Sequence, residues 1–333
     1  MKPFDDLIER ARARRKHIVL AEGEDPRIIA GAKRAQREGV ATITLIGRED
    51  VIRADENGDL EAAVIDPASS TDLERHAAGF HALRKHKGVT EEQARDAIRD
   101  PLFFANMMVH ADDADGSVAG AHYTTSDTVR AAIQVIGIGA GHEIVSSFFV
   151  MLLCEDFHRI RGAFIYSDCG LVIDPNAREL AEIALTSADT ARDLLGLDPR
   201  VAMLSFSTRG SARHSLADKV IEATDIARSK RPGLPIDGEL QFDAAVVPEI
   251  NAKKAPGSAI EGAANVFIFP DLQAGNIAYK ITERLGLAKA IGPILQGLNK
   301  PANDLSRGCS AEDVYRAIAV TAVQAQAREK TPI

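Results

Sequence analysis

Cysteine is scarce in this sequence. Cys154, Cys169 and Cys309 are the three in 333 residues, an odd number at wide, irregular spacing. That pattern excludes a disulfide framework and a zinc site, and it fits reduced thiols in a reducing compartment. Tryptophan is absent and aromatics make up 5%. No apolar run reaches the roughly eighteen residues that a membrane helix needs, so no membrane partner is expected. The opening Met1-Lys-Pro-Phe-Asp-Asp6 lacks the apolar core of a signal peptide, and a cytoplasmic location is expected. A basic excess is missing too, because the formal net charge is -8. This argues against a nucleic-acid partner, whose protein usually shows a basic stripe. It leaves room for a small anionic substrate, since local arginines make a positive pocket on an acidic protein.

What is present is ordinary globular material. Hydrophobic residues make up 45% and charged residues 26%, and the length suits about two domains. An amphipathic helix over 4–15 precedes the apolar run His17–Ala21, which reads as a buried strand. The turn Glu22-Gly-Glu-Asp-Pro26 leads into a helix ending near Gly39, and Ala41–Ile46 is the next strand. Strand, helix and strand at this spacing indicate a parallel sheet. Residues 51–70 form a third short unit, with a strand at Ala63–Ile65. Thr90 and Gln93 make a capping-box pair. Asp115–Ala121 reads as a tight turn, and Ser126 as the cap of a helix over 127–136. Strands are expected at Val145–Leu153, Gly162–Ser167, Val201–Ser207 and Asn265–Phe269, with helices at 175–188 and 311–328. Further strand–helix pairs are expected around 243–252 and 264–285. Gly137–Gly141 is a candidate hinge, and a second crossing is placed near Gly292-Pro293, where a strand-like run turns into a loop.

Several standard motifs are absent. Gly137-x-Gly139-x-Gly141 has His142 where the dinucleotide fingerprint needs its third glycine. There is no P-loop, no His-Glu-x-x-His and no Gly-x-Ser-x-Gly elbow.

The chemically informative stretch is Gly297 to Asp313, a polar loop entering the last helix. A helix start offers free N–H groups and a partial positive charge to anions. Arg307 adds a planar donor fork suited to phosphate. Ser306 can donate a hydrogen bond to a developing oxyanion. Two roles stand open for Asp313. With Ser310 it has capping-box spacing, and it is also a candidate general base. A helix start stabilises any carboxylate in its ionised form, which weakens it as a base. Arg84 sits in a basic run that a helix C-terminus also explains. Arg130 lies one turn into its helix and Arg284 late in another.

Taken together, these segments resemble the phosphate acetyltransferase (phosphotransacetylase) family over almost the whole chain. The likeness is carried by Leu83–Gly88, Asp115–Ala121, Ser126–Arg130, Val145–Phe149, Ser167–Cys169, Asp174–Asn176, Pro235–Asp243, Lys254–Ser258, Phe269–Asn276 and Asn303–Asp313. The resemblance implies an α/β, two-domain isocitrate/isopropylmalate dehydrogenase-like fold with a cleft between the domains. Residues 1–140 with 294–333 would form a discontinuous domain and 141–293 an inserted one. It implies acetyl transfer between coenzyme A and inorganic phosphate in a ternary complex. Asp313 would be the base for the thiol, Ser306 the stabiliser of the transition state and Arg307 the phosphate ligand. Arg84, Arg130 and Arg284 would bind phosphate or coenzyme A. Coenzyme A is then a substrate rather than a cofactor, no metal is required, and a homodimer is implied. One departure is Ala140-Gly141 where many members carry Pro-Gly. A butyryl-preferring enzyme and a non-catalytic acyl-CoA-sensing module, like the C-terminal part of large malic enzymes, remain alternatives.

Overall fold

The computed structural model describes residues 2–54 and 60–329. Residues 55–59, inside the short unit expected at 51–70, lie outside that description. The chain divides into two compact units, one of Lys2–Gly141 with the segment from Leu298 onward, the other of His142–Gly297.

In the discontinuous unit, β1 (Lys16–Leu20), β2 (Ala41–Ile46), β3 (Ala63–Ile65), β4 (Gly116–Ala119) and β11 (Ala302–Asp304) form one sheet. The order is β11-β4-β1-β2-β3 and every neighbouring pair is parallel. Strands covered on both faces must be apolar throughout, and Ile18, Val19 and Leu20 are fully buried. Around the sheet lie α1 (Lys2–Ala13), α2 (Pro26–Arg37), α3 (Glu49–Ala54), α4 (Leu73–Arg84), α5 (Glu91–Ile98), α6 (Pro101–His110), α7 (Thr125–Val135) and α13 (Ala311–Arg328). The start of α2 follows from Asp25, whose carboxylate accepts from the Arg27 N–H, and from Pro26 in the first turn. The Thr90/Gln93 and Ser310/Asp313 capping boxes are both formed.

In the inserted unit, β5 (Ser146–Leu153), β6 (Gly162–Ser167), β7 (Val201–Leu204), β8 (Ile236–Leu240), β9 (Val266–Ile268) and β10 (Lys289–Gln296) order as β10-β5-β6-β9-β7-β8. The β10/β5 and β5/β6 pairs are antiparallel and the others parallel. Its helices are α8 (Ala177–Leu195), α9 (Ser215–Lys230), α10 (Phe242–Val246), α11 (Pro248–Lys254) and α12 (Leu272–Arg284).

Several local expectations are corrected. The cap of α7 is Thr124, not Ser126; its hydroxyl accepts from the Asp127 N–H. Residues 116–119 are a strand, not a tight turn, because small side chains fit between β11 and β1. The 297–313 loop contains β11. Gly292-Pro293 does not end a strand: β10 runs through it with a register shift between Ile291 and Ile294. Residues 243–252 hold two short helices. The strand of that region is β8, whose Asp237 and Glu239 are buried yet satisfied. Asp237 accepts from Arg209 and Arg228, and Glu239 from the Ser207 hydroxyl and the Gly210 N–H. Gly238 between them is obligatory, since a Cβ there would stand 2.5 Å from that of Met203.

Candidate functional site

In the discontinuous unit the chain runs from β1 outward to β2 and β3, then crosses back to β4 and β11 on the other side of β1. Strand order therefore reverses between β1 and β4. In open parallel sheets ligands bind outside the carboxyl ends of the strands at such a reversal. Because β11, β4 and β1 are parallel neighbours, the residues that follow them emerge at one edge. These are Glu22–Asp25 after β1, Gly120–Thr124 after β4, and Leu305–Ser310 after β11.

Ser306 and Arg307 lie on the last of these segments and are both exposed. The turn is tight: the Cys309 N–H donates to the Ser306 carbonyl at 2.8 Å, and the Gly308 N–H to its hydroxyl oxygen at 3.3 Å. Among the described residues no carboxylate or acceptor engages the Arg307 guanidinium, while its carbonyl is held from behind by Arg27. Arg27 is saturated. It donates to the carbonyls of Arg307 at 2.7 Å, Cys309 at 3.2 Å and Ala121 at 3.0 Å, and doubly to Asp25. Asp25 is buried, and burial alone would raise its carboxyl. The Arg27 hydrogen bonds, with the charges of Arg27 and His122, outweigh this and hold it below the usual carboxylate range. Buried Glu22 accepts from the backbone N–H groups of Ala121, His122 and Tyr123 at 2.7, 2.6 and 2.8 Å. An ionised brace thus holds the turn while its own cation stays open to solvent.

Asp304, at the end of β11, is 1% exposed. Its Oδ2 accepts from the Thr125 hydroxyl, at the first position of α7, at 2.6 Å. The neighbouring Gly120 has φ +109°, and a Cβ there would lie 2.3 Å from Asp304 Oδ1 and 2.5 Å from the Leu305 nitrogen. Only glycine permits this crossing of β4 and β11. Burial pushes the Asp304 carboxyl up to about 6, with the Thr125 and Thr128 hydroxyls opposing and Glu22 adding to the rise. The folded state therefore keeps a proton that the unfolded chain releases near its ordinary value. The resulting stability is present at low pH and is lost as pH rises through about 6. At neutral pH the buried charge costs on the order of 3 kcal/mol.

Asp313 is half exposed, and its Oδ2 accepts from the Ser310 N–H at 2.9 Å and hydroxyl at 2.8 Å. Oδ1 stands 3.8 Å from Arg316 Nη1. The capping role is thus realised, and it leaves one oxygen outside the box. Cys309 is buried, which pushes its thiol up despite Arg27, so it stays protonated at neutral pH. Arg84 ends α4, half-buried, and Arg130 on α7 pairs with Asp127 at 2.5 Å. Among the described residues, no hydrogen bond or ion pair joins either to the Ser306 turn. Arg284 belongs to the inserted unit, in the last turn of α12, with its side chain 79% exposed beside Glu283. An apolar cavity of about 520 Å³ in that unit, lined by Tyr166, Phe206, Leu216, Phe242, Phe269 and Ile281, holds none of the expected site residues.

Sequence reasoning missed Glu22, Asp25, Arg27, Thr125 and Asp304. The available signal was the acidic turn Glu22–Asp25, set directly after a fully apolar strand where parallel sheets place ligands.

The fold and this edge define an α/β protein with an exposed Ser306–Arg307 turn at the reversal point of its parallel sheet. The sequence model described as "Phosphate acetyl/butaryl transferase" matches residues 4–322. The chain is 51% identical to a phosphate acetyltransferase of Thermoanaerobacterium thermosaccharolyticum, covering 98% of this chain and 100% of the relative. It is 52% identical to one of Paracoccus denitrificans, covering 97% and 99%. A solved phosphotransacetylase from Streptococcus pyogenes superposes with a TM-score of 0.91 at 46% identity, covering 98% of each chain. The chain belongs to the phosphate acetyl/butaryl transferase family, as the sequence segments had implied.

Proposed function

We propose that this chain is an acyltransferase that moves an acetyl group reversibly between acetyl-CoA and inorganic phosphate, giving acetyl phosphate and CoA. Family membership over nearly the full length supports the reaction. The observation that carries the site is the exposed Ser306–Arg307 turn at the sheet's reversal point, whose backbone carbonyl is gripped by Arg27 while the Arg307 guanidinium has no partner among the described residues. In the direction that consumes acetyl phosphate, the CoA thiol loses its proton to Asp313 and the thiolate attacks the acetyl phosphate carbonyl within a ternary complex. Ser306 donates to the oxyanion and Arg307 receives the departing phosphate. An ordinary thiol titrates near about 8.5, so the base contributes about 10²–10⁴-fold. Arg84, Arg130 and Arg284 are proposed as further ligands for phosphate or CoA. Coenzyme A acts as a substrate.

The isocitrate/isopropylmalate dehydrogenase-like fold, a cytoplasmic location and a homodimer belong to the same proposal. Ile277 and Ile281 of α12 and Leu285 at its C-cap support the dimer: they recur at helical spacing and are 58%, 52% and 81% exposed.

The test is phosphate-dependent release of CoA from acetyl-CoA by purified protein, repeated with arsenate in place of phosphate. Binding of acetyl-CoA without release would replace the enzyme by a sensor. Rates on acetyl, propionyl and butyryl substrates decide the chain length. Ser306→Ala is expected to lower kcat about 10²-fold, the usual cost of one oxyanion donor. Complete inactivity together with an acyl-serine trapped on the wild-type protein would instead establish a covalent route.

A further inference from the structure

We propose that Asp304, through its bond to Thr125, is a positioning residue for phosphate: it fixes the Ser306–Arg307 turn against the helix that carries Arg130. The inference rests on the reading that Ser306 and Arg307 receive the phosphoryl group. Asp304 stands two residues before Ser306, on the strand from which the turn departs. Its partner Thr125 is the first residue of α7, and Arg130 follows on the same helix. The Leu305 N–H donates to the Ala119 carbonyl at 2.7 Å, so the backbone is pinned on one side of the residue and its side chain on the other. Gly120 lies beneath both contacts with no room for a methyl group. The direction in which Ser306 leaves the sheet is therefore set by Asp304 and its contacts.

A purely structural residue here would be apolar or fully paired. Asp304 is neither: Oδ1 is buried without a hydrogen-bond partner of good geometry. The groups that face it are the Glu22 carboxylate after β1, the Thr125 and Thr128 hydroxyls of α7, and the Leu305 N–H of its own segment. The ionised carboxyl accepts a charge-assisted bond from Thr125, which is stronger than the bond to a neutral acid. Protonation weakens the tie. Phosphate use then falls as pH drops through about 6.

The experiment measures kcat and KM for phosphate and for acetyl-CoA across the mildly acidic to neutral range. It compares wild type, Asp304→Asn, Thr125→Val and Arg307→Ala, each checked for folding by circular dichroism. The second ionisation of phosphate falls in the same range, so the readout is the difference between the wild-type and Asp304→Asn profiles. Asp304→Asn should raise KM for phosphate about 10-fold, the size of one charge-assisted bond, leave KM for acetyl-CoA unchanged, and remove the acidic limb. Thr125→Val, at a half-buried helix start, should reproduce the rise in KM. Wild-type KM and an unchanged limb in both variants would overturn the positioning role. Arg307→Ala separates the two readings: if it alone loses phosphate use, only the Asp304 inference fails, and if it keeps wild-type phosphate use, the reading of the turn fails.

Discussion

Arg307→Ala should lower kcat/KM for phosphate and for acetyl phosphate by about 10³-fold, equivalent to about 4 kcal/mol of transition-state stabilisation. The expectation follows from how the residue is held. Its guanidinium is exposed and engages no partner among the described residues, whereas its backbone carbonyl is the group that Arg27 grips at 2.7 Å. Alanine retains that carbonyl. The brace of Arg27, Asp25 and Ala121 survives, and the melting temperature should stay close to wild type, as for exposed positions whose change is within about 0.5 kcal/mol. Loss of activity without loss of fold is thus the predicted signature. Arg307→Lys restores the charge without the planar fork and should recover only part of the rate. Steady-state kinetics with phosphate varied at fixed acetyl-CoA give the answer. A wild-type kcat/KM for phosphate in the alanine variant would remove Arg307 from the mechanism.

The elements read from sequence are those whose signal is local. His17–Ala21, Val145–Leu153 and Gly162–Ser167 are predominantly apolar runs, and burial on both faces favours that composition. Thr90/Gln93 and Ser310/Asp313 are patterns closed within one turn, so they form wherever the helix starts. The failures share an opposite cause. β8 carries Asp237 and Glu239, and β11 carries Asn303 and Asp304, all buried. Such strands stand only because distant groups satisfy them. Arg209 and Arg228 reach Asp237, Thr321 and Gln324 reach Asn303, and Thr125 reaches Asp304. No window of sequence contains those partners. The site divides in the same way. Ser306, Arg307 and Asp313 were legible as a polar segment entering a helix. Arg27 was not, because its acceptors at Arg307 lie 280 residues along the chain. Its importance appears only when the sheet brings the ends of β1, β4 and β11 to one edge.

Asp313→Asn separates the two roles that this carboxylate combines, and it should lower kcat about 10³-fold, within the range of general-base catalysis. The capping box occupies Oδ2 with the Ser310 N–H and hydroxyl, and leaves Oδ1 at 3.8 Å from Arg316 as the oxygen open to a thiol proton. An amide can still accept from Ser310 with its own oxygen, so the helix start is largely kept, but it cannot take up a proton. Ser310→Ala is the converse. It deletes the hydroxyl that accepts from the Asp313 N–H at 3.2 Å and donates to Asp313 Oδ2. It costs about 1 kcal/mol, as cap losses do, and leaves the carboxylate chemically intact. A base therefore predicts that Asp313→Asn is slow and nearly as stable as wild type, while Ser310→Ala is less stable and nearly as fast. A cap alone predicts those same stabilities for the two variants and no loss of turnover in either. Thermal melts and kcat under saturating acetyl phosphate and CoA distinguish the two outcomes. Full turnover in Asp313→Asn would leave the residue as a helix cap and move the proton acceptor elsewhere, to another protein group or to solvent.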